Sequence, residues 1–274
     1  MTRSISFGQY YQADSVIHRL DPRVKLAGTL LFVLTLFLPR NLPGLLLASI
    51  CLLLVVRMSR VPAGLILKGI RPVLVIILFS FLVNLFGTPG RVLWSAGFLT
   101  ATYEGVVQAF FLALRLVYLV VGSSLMTFTT TPWRLTDGLE KALHGLTYVK
   151  VPVHEFAMMM AVALKFIPIL AEEMQRILDA QTSRGADFET GSFLERGRKL
   201  IPLLVPLFIS AVRRAADLSM ALEVRGYSTE RKRSKLHPLQ YSRQDYLAYG
   251  LILSYTAMML IFAFTSMGRW PGVL

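Results

Sequence analysis

The chain has 274 residues, 54% of them hydrophobic and only 16% charged. Soluble domains carry about a quarter charged residues, so this is the composition of a membrane protein, not of a soluble enzyme. The net charge of +13 does not call for nucleic acid, because lysines and arginines fall between apolar stretches, where the positive-inside rule and anionic lipid account for them. The single Cys51, inside an apolar run, excludes an intramolecular disulfide and reads as a small core or lipid-facing residue.

Residues 1–23 are polar and lack a signal-peptide apolar segment, so the first helix is expected to be its own insertion signal. Asp21-Pro22 has the form of an N-cap followed by proline at the first helical position. Arg19, Arg23 and Lys25 should hold this end on the cytoplasmic side, and His18 has no second metal ligand nearby. Residues 26–38 are apolar and, counted from Val24, fall just short of a full span. Arg40 to Gly44 reads as a turn, and 45–56 as a second short span completing a hairpin. Arg57, Arg60, Lys68 and Arg71 follow without an acid among them, the clearest cytoplasmic loop in the chain.

A third span is expected at 72–86, with Asn84 placed to bridge to a neighbouring helix. Residues 87–103, with Pro89-Gly90 and the lone basic Arg91, read as extracytoplasmic. A fourth span at 105–128 is long enough to tilt and carries Arg115. An arginine at that depth is a functional candidate, although pairing with carbonyls or snorkelling to the outer interface explains it as well.

Thr131-Pro132 repeats the cap-plus-proline start, and Leu135, Leu139, Leu143 and Leu146 then form one stripe of an amphipathic helix. Residues 153–170 are nearly apolar enough for the membrane but carry His154, Glu155, Lys165 and Pro168. Met158, Met159 and Met160 suit an adaptable apolar surface. Beyond Leu170 the stripe Met174, Ile177, Leu178, Gln181 leaves Glu172, Glu173, Arg176 and Asp179 off it, so this helix is expected to leave the membrane level. Residues 187–197 read as a polar linker. The apolar run 201–212 is too short to span, and Ala211, Ala215, Ala216, Ser219 and Ala221 would let another backbone come close. The basic run Arg231-Lys232-Arg233-Ser234-Lys235 reads as a juxtamembrane clamp on anionic lipid. A last span covers 247–264, with Trp270 as an interface anchor.

Two helical runs end alike, at Ser183-Arg184-Gly185 and at Val224-Arg225-Gly226. Glycine past a helix supplies a left-handed cap, and arginine in the last turn meets the negative end of the dipole. A tip carrying a fixed guanidinium also suits an acidic groove on a partner. The expected fold is therefore all-α and polytopic, with about five transmembrane helices and an amino terminus on the cytoplasmic side. Its divisions are a membrane domain over 1–130, a cytoplasmic or interfacial helical domain over 131–243, and a terminal span within 244–274. No phosphate loop, nucleophile elbow, paired catalytic carboxylates or metal-spaced His/Cys set is present in the sequence, and acids are almost absent from the spans. An enzyme or an ion-driven carrier is thus disfavoured; the surviving alternatives are a scaffold energised by another protein and a membrane or lipid-binding scaffold acting alone.

On Ile17-His18-Arg19-Leu20-Asp21-Pro22-Arg23, Thr129-Thr130-Thr131-Pro132, Gly138-Leu139-Glu140 and the paired Arg-Gly ends, the chain resembles the T component of energy-coupling factor (ECF) ABC transporters, the EcfT or CbiQ type. That family carries two Ala-Arg-Gly tripeptides at the tips of crossing coupling helices; here Ser183 and Val224 replace the alanines. The resemblance implies a non-catalytic subunit of an importer for vitamins or transition-metal ions, in the cytoplasmic (inner) membrane. Its partners would be two ABC-type ATPases, which bind the ATP, and a small substrate-binding S component; the chain itself would hold no cofactor or metal. It implies that Arg184, Gly185, Arg225 and Gly226, with Ser183 and Val224, dock the ATPases. By the same likeness, Leu139, Leu143, Met158, Met159, Met160, Leu204 and Phe208 would face the S component.

Overall fold

The computed structural model describes residues 10–38, 41–96, 99–149, 152–188, 190, 192–227 and 239–264. The basic run at 231–235 and Trp270 lie outside these described residues. Helices α1 (Val16–Arg19), α2 (Pro22–Thr35), α3 (Leu42–Ser59) and α4 (Ala63–Ile70) come first. A 3-10 turn, Arg71–Val73, leads to α5 (Leu74–Gly87), then an antiparallel hairpin of β1 (Val92–Ala96) and β2 (Leu99–Thr102). After it come α6 (Tyr103–Thr129), α7 (Pro132–Ala142), a 3-10 segment Leu143–Val149, α8 (Val153–Ser183), α9 (Phe193–Lys199), α10 (Ile201–Val224) and α11 (Arg243–Phe264).

Five helical stretches are long and apolar enough to cross a membrane: Leu42–Ser59, Ala63–Gly87, Tyr103–Thr129, Val153–Ser183 and Arg243–Phe264. The protein is a polytopic, essentially all-α membrane protein. The membership of the five differs from the sequence reading. Helix α2 has 14 residues, about 21 Å at 1.5 Å per residue, against a hydrocarbon core of about 30 Å. Helix α8 qualifies instead, unbroken across Pro168. The expected cytoplasmic loop is also mostly helix: Arg57 closes α3, Lys68 closes α4, and only Arg60 to Pro62 is non-helical. Asn84 donates to the Ser80 carbonyl of its own helix at 2.8 Å instead of bridging to another.

The chain divides into two compact units, Gly8–Ala142 with Leu239–Leu274, and Leu143–Pro238. In the larger unit α6 is the central post. Val121, Leu125 and Phe128 from α6 pack with Leu52 of α3 and Ile66 of α4, while Leu36, Ala48 and Met259 join α2, α3 and α11. Helix α7 also belongs here. Gly138 lies so close to Pro22 that a Cβ would come within 2.9 Å of its ring, which lets α7 rest on α2.

Polar groups cluster at one end of this bundle. Asp21 caps α2 by accepting from the Arg23 backbone N–H at 2.9 Å, and its carboxylate also takes the Arg23 guanidinium at 3.1 Å on each oxygen. The Asp21 N–H donates to the Asp245 carboxylate (2.8 Å), which also accepts from the Ser242 N–H (2.7 Å) and hydroxyl (2.8 Å). Asp245 is 2% exposed. Buried Lys25 donates to the carbonyls of Thr129 (2.8 Å) and His18 (3.1 Å), tying α2 to the end of α6 and to α1. Arg23 stacks 4.0 Å from the Tyr241 ring centre, and Lys141 of α7 donates to the Leu239 carbonyl at 2.8 Å.

His18 sits in the same cluster with both ring nitrogens engaged. Its Nε2–H donates to the Tyr11 carbonyl (2.9 Å), and its Nδ1 pairs with the Ser15 hydroxyl (2.7 Å), an arrangement that the neutral ring satisfies. Burial pushes the imidazole below its ordinary 6.5; the Tyr11 carbonyl opposes this, and the Lys25 ammonium adds to it.

Asp245→Asn leaves buried donors from Asp21 and Ser242 facing an amide, and should destabilise the protein by about 2–4 kcal/mol in a detergent unfolding measurement. The unfolded chain binds the His18 proton more readily than the folded one. Stability should therefore fall as pH drops below 6.5 and level off beneath the lowered folded value. Melting curves of His18→Gln between pH 7.5 and 5 should lose that dependence.

Candidate functional site

In the smaller unit, α8 and α10 pack on each other and are pinned at two points. Glu173 of α8 takes the Arg214 guanidinium of α10 at 3.3 Å and that of Arg176 at 2.9 Å. The Tyr227 hydroxyl, just past α10, donates to the Met158 sulfur at 2.7 Å. Going from 158 to 173 on α8, the partner goes back from 227 to 214, so the helices are antiparallel. Their C-terminal tips therefore stand at opposite ends of the pair, roughly 35 Å apart along its axis at 1.5 Å per residue.

The two tips have the same backbone. At the first, the Gly185 N–H donates to the Thr182 carbonyl (2.9 Å) and the Ala186 N–H to that of Gln181 (3.0 Å). At the second, the Gly226 N–H donates to the Glu223 carbonyl (2.8 Å) and the Tyr227 N–H to that of Leu222 (2.9 Å). Both are Schellman motifs, with Gly185 at φ 88° and Gly226 at φ 68°, a left-handed conformation natural to glycine. Arg184 (φ −87°, ψ 7°) and Arg225 (φ −79°, ψ 6°) are the C-caps. Both arginines are exposed, and neither guanidinium has a polar partner among the described residues. The flanking Ser183 is exposed, its hydroxyl donating to the Asp179 carbonyl, and Val224 is 84% exposed. Each tip thus offers a fixed cation beside a glycine that closes the helix without bulk.

The smaller unit also carries bare apolar surface. On α10, Leu204, Val205, Phe208, Ile209 and Val212 are exposed, with Phe208 at 71%, while Leu203 turns inward. Met159 and Met160 of α8 are exposed, whereas Met158 is half-buried and engaged by Tyr227. Leu143 is exposed at the start of this unit; Leu139 is exposed on α7 in the larger one. The expectation for the small residues of α10 fails in part. Ala211 is half-buried, but Ala215, Ala216, Ser219 and Ala221 face outward, with no backbone against them among the described residues. The α8 contact is made instead through the longer side chain of Arg214.

Elements that sequence periodicity passed over help shape this unit. Residues 187–197, expected as a linker, include most of α9, opened by a capping box in which Ser192 and Glu195 bond each other's backbone N–H. The signal was there as Ser-x-x-Glu. The twelve-residue apolar run likewise extends into the 24-residue α10, with Pro206 inside it. Arg115 of α6 lies 5.8 Å from the Phe37 ring centre. Among the described residues, no three His, Cys, Asp or Glu side chains gather as a metal site.

The profile of the CbiQ family, described as cobalt transport protein, matches residues 13–236. A Ruminiclostridium cellulolyticum protein named energy-coupling factor transporter transmembrane protein EcfT is 42% identical over 95% of this chain and 98% of its own. Proteins of the same name from Acidaminococcus fermentans and Bacillus subtilis are 44% and 42% identical, over 98% and 89% of this chain and 98% and 93% of theirs.

The cap geometry sets one expectation. A Cβ at Gly185 or Gly226 would meet nothing within 4 Å, so Gly→Ala there costs only the left-handed backbone, roughly 1–2 kcal/mol, and only locally. Amides 185–186 and 226–227 should exchange hydrogen about tenfold faster in the respective variants, with the global melting temperature unchanged.

Proposed function

Because the chain belongs to the CbiQ-type EcfT family and is the transmembrane component of an energy-coupling factor transporter, we propose that its two Arg-Gly tips couple ATPase motion to substrate import. The observation that carries the reading is the pair of congruent Schellman tips, each with an exposed guanidinium. Arg184 and Arg225 each enter an acidic groove on one of two ABC-type ATPases, where a planar fork can meet a carboxylate bidentately. Gly185 and Gly226 keep the chain low behind each arginine so that the groove can close on it. The ATPases bind the ATP, and this chain does no catalysis and needs no cofactor.

Both tips must then reach the same aqueous side. Since they stand at opposite ends of an antiparallel pair, α8 and α10 lie along the membrane surface, although α8 is apolar enough to cross it. Glu155, Lys165, Glu172, Glu173, Arg176 and Asp179 along α8 fit an interfacial helix better than a spanning one. The amino terminus lies on that same cytoplasmic side. The exposed apolar side chains Leu143, Met159, Met160, Leu204 and Phe208 of the smaller unit, with half-buried Met158 and, on the larger unit, Leu139, receive the small S component, which captures a vitamin or a transition-metal ion. Closure of the ATPase pair on ATP draws the tips together, and rigid helices pass the displacement to that surface.

Arg184→Ala and Arg225→Ala should each lower recovery of the ATPases with the tagged chain by about tenfold, the worth of one charge-assisted contact. The double variant should abolish ATP-dependent uptake while membrane insertion persists. Undiminished complex yield and uptake in the double variant would leave the tips as ordinary helix caps and favour a scaffold without ATPase partners.

A further inference from the structure

We propose that the larger unit binds the phosphate headgroup of an anionic phospholipid in a cleft between α1 and the C-terminal end of α3, with an acyl chain lying along α3. The cleft has a volume of about 520 Å³, and Arg19, Arg57 and Arg60 line it. The only acid lining it is Asp14, already held by Arg19 through two hydrogen bonds of 2.9 and 2.8 Å. The site therefore keeps a surplus of two positive charges. Arg60 is the one non-glycine residue with positive φ among those described (55°); it caps α3, and its Nη1 donates to the Asp14 carbonyl at 3.2 Å. That contact fixes the guanidinium on the cleft wall, at a backbone conformation arginine rarely adopts. Arg57, one turn earlier, is exposed and has no polar partner among the described residues. The whole Arg57 fork, with the donors that Arg19 and Arg60 do not spend on Asp14, faces one open space and can meet the oxygens of a phosphate.

A free phosphate ion would leave half of the site unused. Helix α3 is an apolar, span-length helix that ends at these arginines. Directly beneath them Met58, Leu54 and Ile50 recur at a four-residue spacing, exposed by 48%, 57% and 57%. Met58 also lines the cleft, so the polar pocket and the apolar track are continuous. A headgroup above and a hydrocarbon chain below is the shape of a lipid at a membrane boundary.

The test uses the full-length chain purified in mild detergent and read by native mass spectrometry. Phosphatidylglycerol, phosphatidylcholine and glycerol 3-phosphate are the three probes. One phosphatidylglycerol per chain should be retained; phosphatidylcholine should bind several-fold less, and glycerol 3-phosphate should neither bind nor displace the lipid. Arg57→Gln should weaken retention roughly fivefold, and Arg57→Gln with Arg60→Gln roughly 25-fold, in line with the contribution of each basic residue near an anionic surface. Lys68→Gln, in the same basic segment but outside the cleft, should change nothing. Arg57 holds up no internal contact, so its single variant keeps the test valid even if the double variant folds poorly. Wild-type retention in Arg57→Gln, equal binding of phosphatidylcholine, or displacement by glycerol 3-phosphate would each overturn the proposal.

Discussion

One buried carboxylate holds the larger unit's two ends of sequence together. Asp245, at the start of the last helix, accepts the backbone N–H of Asp21, 224 positions earlier, and closes α2 and α11 into one bundle. Around it, Lys25 satisfies carbonyls of α1 and α6, Arg23 is shared between Asp21 and Leu239, and Lys141 brings in α7. A buried ionic cluster of this kind is weak evidence for stability, because desolvation offsets much of its attraction. Its value lies in register: each member has one partner set, and a helix displaced by a turn would strand a buried charge. Apolar helices alone do not define such a register, since lipid tails are as good a neighbour for leucine as another helix is.

The smaller unit is organised on the opposite plan. Its long helices are joined by few polar contacts, chiefly Glu173 with Arg214 and Tyr227 with Met158, and much of their apolar surface is bare. Bare apolar area on this scale needs cover, from lipid or from protein. What is rigid is local: the helices themselves and the Schellman closures at their tips. The faces are adaptable: Met159 and Met160 on α8 are exposed, unbranched side chains that can repack against whatever covers them.

Local chemistry was legible in the sequence, and long-range chemistry was not. Asp21-Pro22 announced its cap, and both Arg-Gly ends proved to be left-handed closures, because each is decided within about six residues. The capping box of α9 was equally local and equally readable, but a polar composition hid it beneath the look of a linker. Span lengths were distorted by judging helices from their apolar cores: the helical stretch from α4 to α5 runs on through Lys68 and Arg71, and α10 runs twelve residues past its apolar stretch. The Asp245 tie, the antiparallel setting of α8 on α10, and the meeting of Arg19 with Arg57 and Arg60 join positions far apart in the chain. No periodicity encodes such pairings, and alanine spacing on α10 pointed to a contact face that the structure leaves bare.

The two units also differ in where their charged and apolar side chains lie. In the larger one, a buried polar cluster around Asp21, Lys25 and Asp245 stands beside an apolar core that includes Leu36, Leu52 and Leu125, and many other leucines face the lipid. In the smaller one, charges stand at the tips and along one edge, and apolar side chains lie open beside them. The ties between its two long helices are a partly exposed ion pair and a hydroxyl–sulfur contact, which add little to holding them in register. The polar contacts that fix register are thus concentrated in the larger unit, while the helices of the smaller one keep only side-chain ties that cost little to break.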